Sequence, residues 1–252
     1  MSTATAAGST QREPELLGQS VVVIGGSAGI GLETARRARA EGAEVIITAR
    51  NPERLEHAAR ELGAVSTAAF DATDADQLAR FFDGLPKPID HLMLSGSGPY
   101  YAPLAEMDFA LVRRDIDQHL LLPLQIGRHA VGTVRPGGSL LFIGGTGGRR
   151  RGTGLALIGA LTAALPALVA NLAVEVAPIR VNAVAPGFVD TALSASLLGD
   201  GLDARREELR ATLPIGRVVG PADVAALAVH IMINTALTGA IYDVDGGQQL
   251  VG

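Results

Sequence analysis

Apolar, β-branched runs alternate with longer helical segments along almost the whole chain of 252 residues. The alternation begins with "SVVVIGG" and "GIGLETARRARAEG" and continues with "AEVIITAR" and "NPERLEHAARELG". Strands that are apolar throughout belong in a parallel sheet with helices on both faces. Because crossovers between such strands are right-handed, the pattern predicts a doubly wound α/β fold, with seven strands in a mostly parallel sheet.

The remaining elements follow at similar intervals. We predict strands at "VSTAAF", "IDHLMLSG", "GSLLFIGG", "IRVNAVAPG" and "AIYDVDGG", and helices near residues 74–85, 107–134, 155–176 and 221–234. Pro123 and Pro166 fall inside two of these helices, where we expect kinks because proline lacks the N–H donor. The opening residues are small and polar, so residues 1–17 are predicted to form a flexible tail before a single domain at 18–252.

The composition argues against several classes of protein. The formal net charge is −5 and 4% of the residues are aromatic, which leaves no basic face or set of stacking rings for nucleic acid. The chain has no cysteine, so disulfides and Cys-ligated metals are excluded, and no metal site is expected. The start of the chain lacks a secretory signal, and no apolar run reaches the ~18 residues of a membrane span without Gly, Pro or a charge. We therefore expect a cytoplasmic protein without a membrane segment.

A glycine-rich turn, "GGSAGIG" at residues 25–31, joins the first strand to the first helix. Gly25, Gly29 and Gly31 let the main chain turn sharply and approach a pyrophosphate, whose charge is met by the N–H groups and the positive dipole end of the helix. Such turns also occur as plain connectors, but this position after the first strand favours dinucleotide binding in a Rossmann fold. Ser27 and Ile30 lie in the same turn and join the predicted cofactor-binding residues.

The spacing Gly-x-x-x-Gly-x-Gly resembles that of the short-chain dehydrogenase/reductase family of classical type. Further segments extend the resemblance, in order, from about residue 18 to residue 250. They are "FDAT" at 70–73, "IDHLMLSGSG" at 89–98, "GGSLLFIGG" at 137–145, "IRVNAVAPGFVDT" at 179–191, "LPIGRVVGPADVA" at 213–225 and "LTGAIYDVDGG" at 237–247. The resemblance implies a nicotinamide cofactor, a small-molecule substrate and self-association, with a tetramer as the expected assembly.

The resemblance also implies which strand ends hold the cofactor. Asp71 and Ala72 would face the adenine, Ser95 and Gly96 would border the nicotinamide ribose, and Pro186, Gly187, Val189 and Thr191 would hold the carboxamide end. Each of these residues has a plainer alternative role in shaping a turn. Loop polar residues at the carboxyl edge of a parallel sheet nevertheless line the ligand crevice, which favours binding.

The end of the second strand, "TARN", bears on which dinucleotide binds. An acidic residue there would accept hydrogen bonds from the ribose 2′-OH of NAD, but Ala49 occupies that place. Arg50 and Asn51 follow, and a guanidinium suits a 2′-phosphate. The sequence therefore favours NADP(H) over NAD(H), although Arg50 is also compatible with an ordinary surface arginine.

The proton-handling residues that the resemblance implies are replaced. The family uses a tyrosine, a lysine four residues later, a serine and an asparagine, and alignment puts Ile158, Thr162, Gly145 and His119 at those positions. No Tyr-x-x-x-Lys pair exists anywhere in the chain. The chain is accordingly identified as an atypical member of the family.

Other groups are candidates to donate a proton in their place. Tyr100 and Tyr101 follow "SGSG" directly, His119 has a side chain that titrates near neutral pH, and Thr146 is one place from the serine position. We nominate Tyr101 and His119 as the catalytic residues, although each of the four also has a structural interpretation.

Two functions and one surface remain open from the sequence. The first function is an NADP(H)-dependent oxidoreductase with a non-standard proton donor, acting on a small carbonyl or alcohol. The alternative is a catalytically inactive NADP(H)-binding protein that serves as a sensor or assembly subunit. The run Arg149–Arg151, on the loop after the fifth strand, either grips an acidic substrate or forms a solvated loop.

Overall fold

A seven-stranded sheet forms the centre of the molecule in the computed structural model, which describes residues 13–96 and 98–251. The strands are β1 (Ser20–Ile24), β2 (Glu44–Ala49), β3 (Ser66–Ala69), β4 (Ile89–Leu94), β5 (Val134–Ile143), β6 (Arg180–Pro186) and β7 (Ile241–Val244). Their order is β3-β2-β1-β4-β5-β6-β7, and all neighbouring strands pair in parallel. The predicted doubly wound fold is confirmed.

Nine α-helices lie within the described residues. They are α1 (Gly29–Ala40), α2 (Pro52–Leu62), α3 (Ala75–Gly84), α4 (Phe109–Ile116), α5 (Leu122–Ala130), α6 (Ala156–Glu175), α7 (Ala192–Leu198), α8 (Leu202–Thr212) and α9 (Pro221–Ile233). The two short helices before α9, α7 and α8, are not predicted from the sequence. Together, α7 and α8 form an insertion between β6 and α9, beside the carboxyl edge of the sheet.

The prediction of a single helix over 107–134 is wrong, because the helix is interrupted and ends before residue 134. A π-helical turn, Asp117–Leu121, separates α4 from α5, and the main chain has already entered β5 at Val134. Pro123 lies in the first turn of α5, directly after this π-helical turn. The helix α6, in contrast, runs through Pro166 as one element.

Two apolar clusters fill the two faces of the sheet. Alternate residues of β1 point to opposite sides, so Val21 and Val23 join one cluster while Val22 and Ile24 join the other. The first cluster is closed by α1, α2 and α9, and the second by α3, α5 and α6. This double covering explains why the strands read as continuous apolar runs.

The helix α6 is long and apolar enough to cross a membrane by length and composition alone, with a mean hydropathy of 2.0. One face of it is buried on the sheet through Leu161, Leu165, Val169 and Leu172. A core helix of an α/β domain has this same character, because its inner face packs on the strands.

The folded domain begins earlier than the predicted boundary at residue 18. Leu16 is fully buried in the cluster against α1, and its N–H donates to the main-chain oxygen of Glu41 at 3.0 Å. The predicted tail at 1–17 is therefore too long at its carboxyl end. Its residues 1–12 lie outside the described residues.

A buried arginine fixes β6 against the end of α9. The Arg180 guanidinium donates to the main-chain oxygens of Ile231, Met232, Asn234 and Leu237 at 2.7–3.2 Å. The oxygens of Ile231 and Met232 belong to the last turn of α9, which leaves them without partners inside the helix. Burial lowers the pKa of Arg180. The contact anchors the strand whose far end carries the loop at residues 186–191.

Candidate active site

The turn at residues 25–31 forms a tight cradle in front of α1. Gly25 has a φ of +84°, and a Cβ there would lie 2.2 Å from the main-chain oxygen of Ser95. A Cβ on Gly31 would lie 2.2 Å from the main-chain oxygen of Gly25. Among the described residues no side chain caps the N-terminus of α1, and its first turn contains no acidic residue. The cradle therefore fits a pyrophosphate, whose charge the first-turn N–H groups and the helix dipole would stabilise.

The three helices that follow along the chain begin differently. The side chains of Asn51, Asp74 and Asp108 cap α2, α3 and α4, and each accepts a main-chain N–H from its own first turn. The side chain of Asn51, a predicted cofactor contact, is engaged in this cap through the Arg54 N–H at 2.8 Å. Of these four N-termini, that of α1 is the one left for an external anion.

Residues from three strand ends meet at the point where the strand order reverses between β1 and β4. The Ser95 N–H donates to the main-chain oxygen of Ile24 at 2.8 Å, which sets Ser95 and Gly96 beside the glycine turn. A Cβ on Gly29 would lie 3.6 Å from Cγ2 of Thr191, so the loop after β6 reaches the same crevice. The structure brings these predicted cofactor residues together.

Arg50 and Asp71 lie farther along the same edge, at the ends of β2 and β3. The Asp71 carboxylate accepts hydrogen bonds from the N–H and the hydroxyl of Thr73, at 3.0 and 2.8 Å. Burial opposes ionisation of Asp71, but the Thr73 bonds and the charges of Arg50 and Arg114 outweigh it and lower the pKa. Arg50 is exposed and has no ion pair within the described part of the chain. Sequence analysis does not identify Arg114, which lies on α4.

The loop after β6 has structural partners of its own. A Cβ on Gly187 would lie 2.4 Å from Oε1 of Gln248, and the Phe188 N–H donates to that same oxygen at 2.8 Å. The main-chain oxygen of Pro186 accepts the Thr146 N–H at 3.0 Å. The loop is therefore held from two sides, which accounts for the turn-shaping role of Pro186 and Gly187.

The tyrosine and lysine positions implied by the family resemblance lie on α6, under a turn of the main chain at Gly147–Arg149. The Thr162 hydroxyl donates to the main-chain oxygen of Ile158 at 2.5 Å. A Cβ on Gly148 would lie 2.4 Å from Oγ1 of Thr162 and 2.7 Å from that same oxygen of Ile158. The main chain at Gly148 thus rests directly on this face of α6.

The arginine run after β5 holds this turn in place. Arg149 forms a two-bond ion pair with Asp243 on β7, and Arg150 donates to the main-chain oxygen of Gln248 at 2.9 Å. The Asp243 hydrogen bonds raise the pKa of Arg149. Both residues contact the C-terminal segment of the chain, and Arg149 stays exposed, in agreement with a solvated loop. Arg151 is exposed.

The two neighbouring tyrosines differ in what their hydroxyls contact. The Tyr100 hydroxyl accepts the Asp108 N–H at 3.0 Å, so it belongs to the start of α4. The Tyr101 hydroxyl lies 3.7 Å from where a Cβ on Gly147 would stand, beside the turn that covers α6. Partial burial and then the Asp115 carboxylate raise the pKa of Tyr101. Of the two, Tyr101 lies at the predicted reaction site.

Asp115 connects the tyrosine loop to His119. Its carboxylate is 3% exposed and accepts the Tyr100 N–H at 3.3 Å. The Nδ1 atom of His119 lies 3.2 Å from Asp115 Oδ1 and 3.0 Å from the Asp115 main-chain oxygen. Sequence analysis missed Asp115, although an acid four residues before a histidine on one helix is a recognisable signal.

A cleft of about 450 Å³ opens next to these tyrosines. Its lining residues come from the loop after β4, the loop after β6, and the two unpredicted helices. They are Pro99, Tyr100, Tyr101, Phe188, Ser194, Leu197, Leu198 and Arg205. Because α7 and α8 do not appear among the sequence predictions, the sequence identifies just the two tyrosines of this set.

Comparisons with known proteins match nearly the whole chain. Residues 25–249 match the family model described as enoyl-(acyl carrier protein) reductase. The chain is 30% identical over 249 residues to a short-chain dehydrogenase/reductase of Stachybotrys chlorohalonatus, covering 93% of this chain and 98% of the relative. It is 33% identical over 246 residues to the cis-4-hydroxycyclohexanecarboxylate dehydrogenase of Sinomonas cyclohexanicum, covering 91% and 96%.

Solved structures similar to this one have the same fold throughout. The MalC reductase/Diels-Alderase of Malbranchea aurantiaca superposes with a TM-score of 0.87 at 26% identity, covering 94% of this chain and 99% of that one. BdcA in complex with NADPH superposes with a TM-score of 0.82 at 27% identity, covering 92% and 95%.

Proposed function

The chain belongs to the short-chain dehydrogenase/reductase family, and we propose that it is an atypical, NADP(H)-dependent member that interconverts a small carbonyl compound and its alcohol. The observation that carries this proposal is the cradle at residues 25–31, whose glycines admit no side chain and whose helix N-terminus is uncapped within the described residues. A protein that had no use for a dinucleotide would gain by capping α1, as α2, α3 and α4 are capped.

Arg50 supports the choice of NADP(H) over NAD(H). Its guanidinium is exposed at the end of β2, and the pKa of Asp71 responds to its charge. A cation at this place suits the additional phosphate of NADP(H), and no acid occupies the preceding position for a free 2′-OH. The NADPH bound in the similar BdcA structure agrees with this choice.

Tyr101 is the favoured proton donor. When bound, NADPH supplies a hydride to the carbonyl carbon, and the reaction is complete once the carbonyl oxygen also receives a proton. The raised pKa of Tyr101 keeps its hydroxyl protonated through the neutral range, and its 47% exposure lets solvent return the proton afterwards. His119, held by the buried Asp115, is the second nominated donor.

One observation favours the alternative, a protein that binds NADP(H) without reducing a carbonyl. The main chain at Gly148 lies against Thr162 and Ile158, on the face of α6 from which the family's tyrosine and lysine would extend. A protein that has given up reduction has no need to keep that face open. A sensor or assembly subunit would retain the cofactor crevice alone.

A panel of carbonyl compounds separates the two functions. The experiment mixes excess protein with NADPH and each compound, and follows loss of the NADPH absorbance in a single turnover. The oxidoreductase predicts oxidation of NADPH by at least one compound at a rate above that in buffer. The alternative predicts the buffer rate for all of them, together with tight NADPH binding in a parallel fluorescence titration.

The protein is also proposed to self-associate, with a tetramer as the expected assembly. The outward face of α6 carries the exposed residues Ala160, Ala163, Ala167 and Ala170. Side chains this small would let the same helix of a second copy approach closely. Phe109 and Leu111 on α4 and Leu124 on α5 are exposed as well, at 59%, 39% and 43%. Light scattering at micromolar concentration tests this, and a monomer mass contradicts it.

A further inference from the structure

The cleft beside the two tyrosines has the size of a small-molecule site. Its volume of about 450 Å³ lies within the ~300–1,000 Å³ range of ligand pockets and is too small for a macromolecular segment of any length. Tyr101 forms part of its wall, and the hydroxyl of the same residue lies beside the turn at Gly147. A substrate in this cleft is therefore next to the proposed proton donor.

The walls of the cleft are apolar. Leu197 and Leu198 are 52% and 39% exposed, and together with Phe188 they converge on one space instead of lying scattered over the surface. Ser194 is polar, but its hydroxyl is bonded to the main-chain oxygen of Thr191 at 2.8 Å within the cap of α7. These residues suit a ligand whose body is a hydrocarbon ring or chain.

Arg205 is the one charged residue among the eight described residues that line the cleft. Its neighbour Arg206 is fully engaged, with two bonds to Asp190 at 2.9 and 2.7 Å and a third to Asp203 at 2.8 Å. Arg206 therefore attaches α8 to the loop after β6, while Arg205 faces the ligand space.

Glu208, the partner of Arg205, is a weak competitor for a ligand. Arg205 donates to Glu208, three residues later on α8, at 2.6 Å, and the Glu208 side chain is 56% exposed. Exposed pairs at this spacing contribute ~0–1 kcal/mol, so a ligand group can take the place of Glu208. A guanidinium binds a carboxylate through two parallel hydrogen bonds, which is the strongest geometry open to it.

We propose that the substrate is an apolar carbonyl compound that also carries a carboxylate, and that Arg205 binds this carboxylate. The proposal rests on the proposed oxidoreductase function and adds the substrate class. The hydrocarbon body lies against Leu197, Leu198 and Phe188, and the carbonyl group is directed toward Tyr101. Arg205 is thus a specificity-determining residue.

The test compares binding of a keto acid with binding of its methyl ester. The probes are 4-oxocyclohexanecarboxylate and its methyl ester. Each is titrated by calorimetry into the full-length protein saturated with NADP⁺, which cannot reduce a ketone, so that no turnover occurs. A hydrogen-bonded charge pair predicts that the acid binds about 10- to 100-fold more tightly than the ester. Arg205→Met is expected to abolish that ratio and leave the affinity for the ester unchanged.

Two further variants make the test independent of a simple loss of folding. Arg210→Met removes an exposed arginine from the same helix and is expected to keep the preference for the acid. Glu208→Gln frees Arg205 from its partner and is expected to strengthen binding of the acid alone. Equal affinity for acid and ester, a preference that survives Arg205→Met, or no binding of either probe would overturn the proposal.

The outcome also separates this proposal from the proposed function. Arg205-dependent binding of the acid without any oxidation of NADPH supports the role of Arg205 in carboxylate binding and contradicts the oxidoreductase. Reduction of neutral ketones with equal affinity for acid and ester supports the oxidoreductase and overturns the role of Arg205.

Discussion

Two regions of this molecule use glycine to bring main chain unusually close, with opposite results. At the cofactor crevice, a Cβ on Gly31 would lie 2.2 Å from the main chain of Gly25. At α6, a Cβ on Gly148 would lie 2.4 Å from the Thr162 side chain. The first approach leaves the N-terminus of α1 facing outward, whereas the second covers the face of α6 with main chain. Close approach by glycine makes a site only when it leaves donors or space exposed.

The comparison assigns the two halves of the proposed reaction to different parts of the sheet edge. In the proposal, the cradle at residues 25–31 holds the dinucleotide as such turns do in this fold. The covered face of α6 has no group that exchanges a proton with a substrate, because Ile158 is aliphatic and the Thr162 hydroxyl bonds back to its own helix. In the proposed reaction the proton therefore comes from Tyr101, from His119 or from solvent.

The largest expected effect comes from filling the cradle. Gly31→Ala places a methyl group against the main-chain oxygen of Gly25, so the turn must move and NADPH affinity is expected to fall more than about 100-fold. Fluorescence titration measures the affinity, and circular dichroism checks the fold. The matched control is Gly84→Ala, at the end of α3, where a Cβ meets no atom within 4 Å. Unchanged affinity in Gly31→Ala would show that the cofactor does not use this turn.

Removal of one hydroxyl tests the other region. Tyr101→Phe is expected to lower kcat for carbonyl reduction by ~10²- to 10⁴-fold, the usual contribution of a general acid, with NADPH affinity unchanged. Tyr100→Phe is the control, since that hydroxyl accepts the Asp108 N–H and its loss costs about 1 kcal/mol of stability without loss of turnover. Steady-state kinetics on both variants gives the answer, and equal kcat values would exclude Tyr101.

A smaller effect is expected at the end of β2. Arg50→Ala removes a charge-assisted contact to the 2′-phosphate and is expected to weaken NADPH binding by about 10- to 100-fold while NADH binding stays the same. Arg54→Ala, an exposed arginine of α2, serves as the control. Titration of both cofactors against each variant measures the ratio. If the unmodified protein binds NADPH and NADH equally, the assignment of Arg50 is wrong.

The pH dependence of the reduction rate distinguishes Tyr101 from His119 as the donor, with a change smaller than those expected for the variants above. A raised pKa means that Tyr101 keeps its proton to higher pH than an ordinary tyrosine, which titrates near 10. Reduction that uses Tyr101 is therefore expected to vary by less than about twofold from pH 6.5 to 8.5 and to decline only above pH 10. A donor that loses its proton within that range would instead give a rate that falls across it. The rate profile of the chemical step decides.

The fold is predicted well from the sequence because its strands and helices follow local residue patterns. The apolar runs of β1 and β2 and the glycine turn between β1 and α1 are each visible within a dozen residues. The α7–α8 insertion is harder to predict, because Gly199 and Gly201 interrupt its helical pattern and the N-cap Thr191 has Ser194 at N3 in place of the usual Glu or Gln.

The site is only partly predictable, because its chemistry depends on contacts between distant segments. Arg149 meets Asp243 across 94 positions of the chain, and no local pattern indicates that an apparent substrate clamp binds the edge strand instead. Asp115 becomes visible as a partner of Tyr100 only once the loop after β4 lies on α4. Arg205 and Arg206 are adjacent and alike in sequence, and their different roles arise from the position of Asp190.

The most direct test of the account asks where the proton comes from. Single-turnover oxidation of NADPH by a reactive carbonyl compound is measured in the unmodified protein, in Ile158→Ala and in Tyr101→Phe, with thermal melts to confirm that all three are folded. The account predicts that Ile158→Ala oxidises NADPH within about twofold of the unmodified rate, because an aliphatic side chain donates no proton, while Tyr101→Phe falls by ~10²-fold or more. Loss of oxidation in Ile158→Ala with full activity in Tyr101→Phe would contradict it.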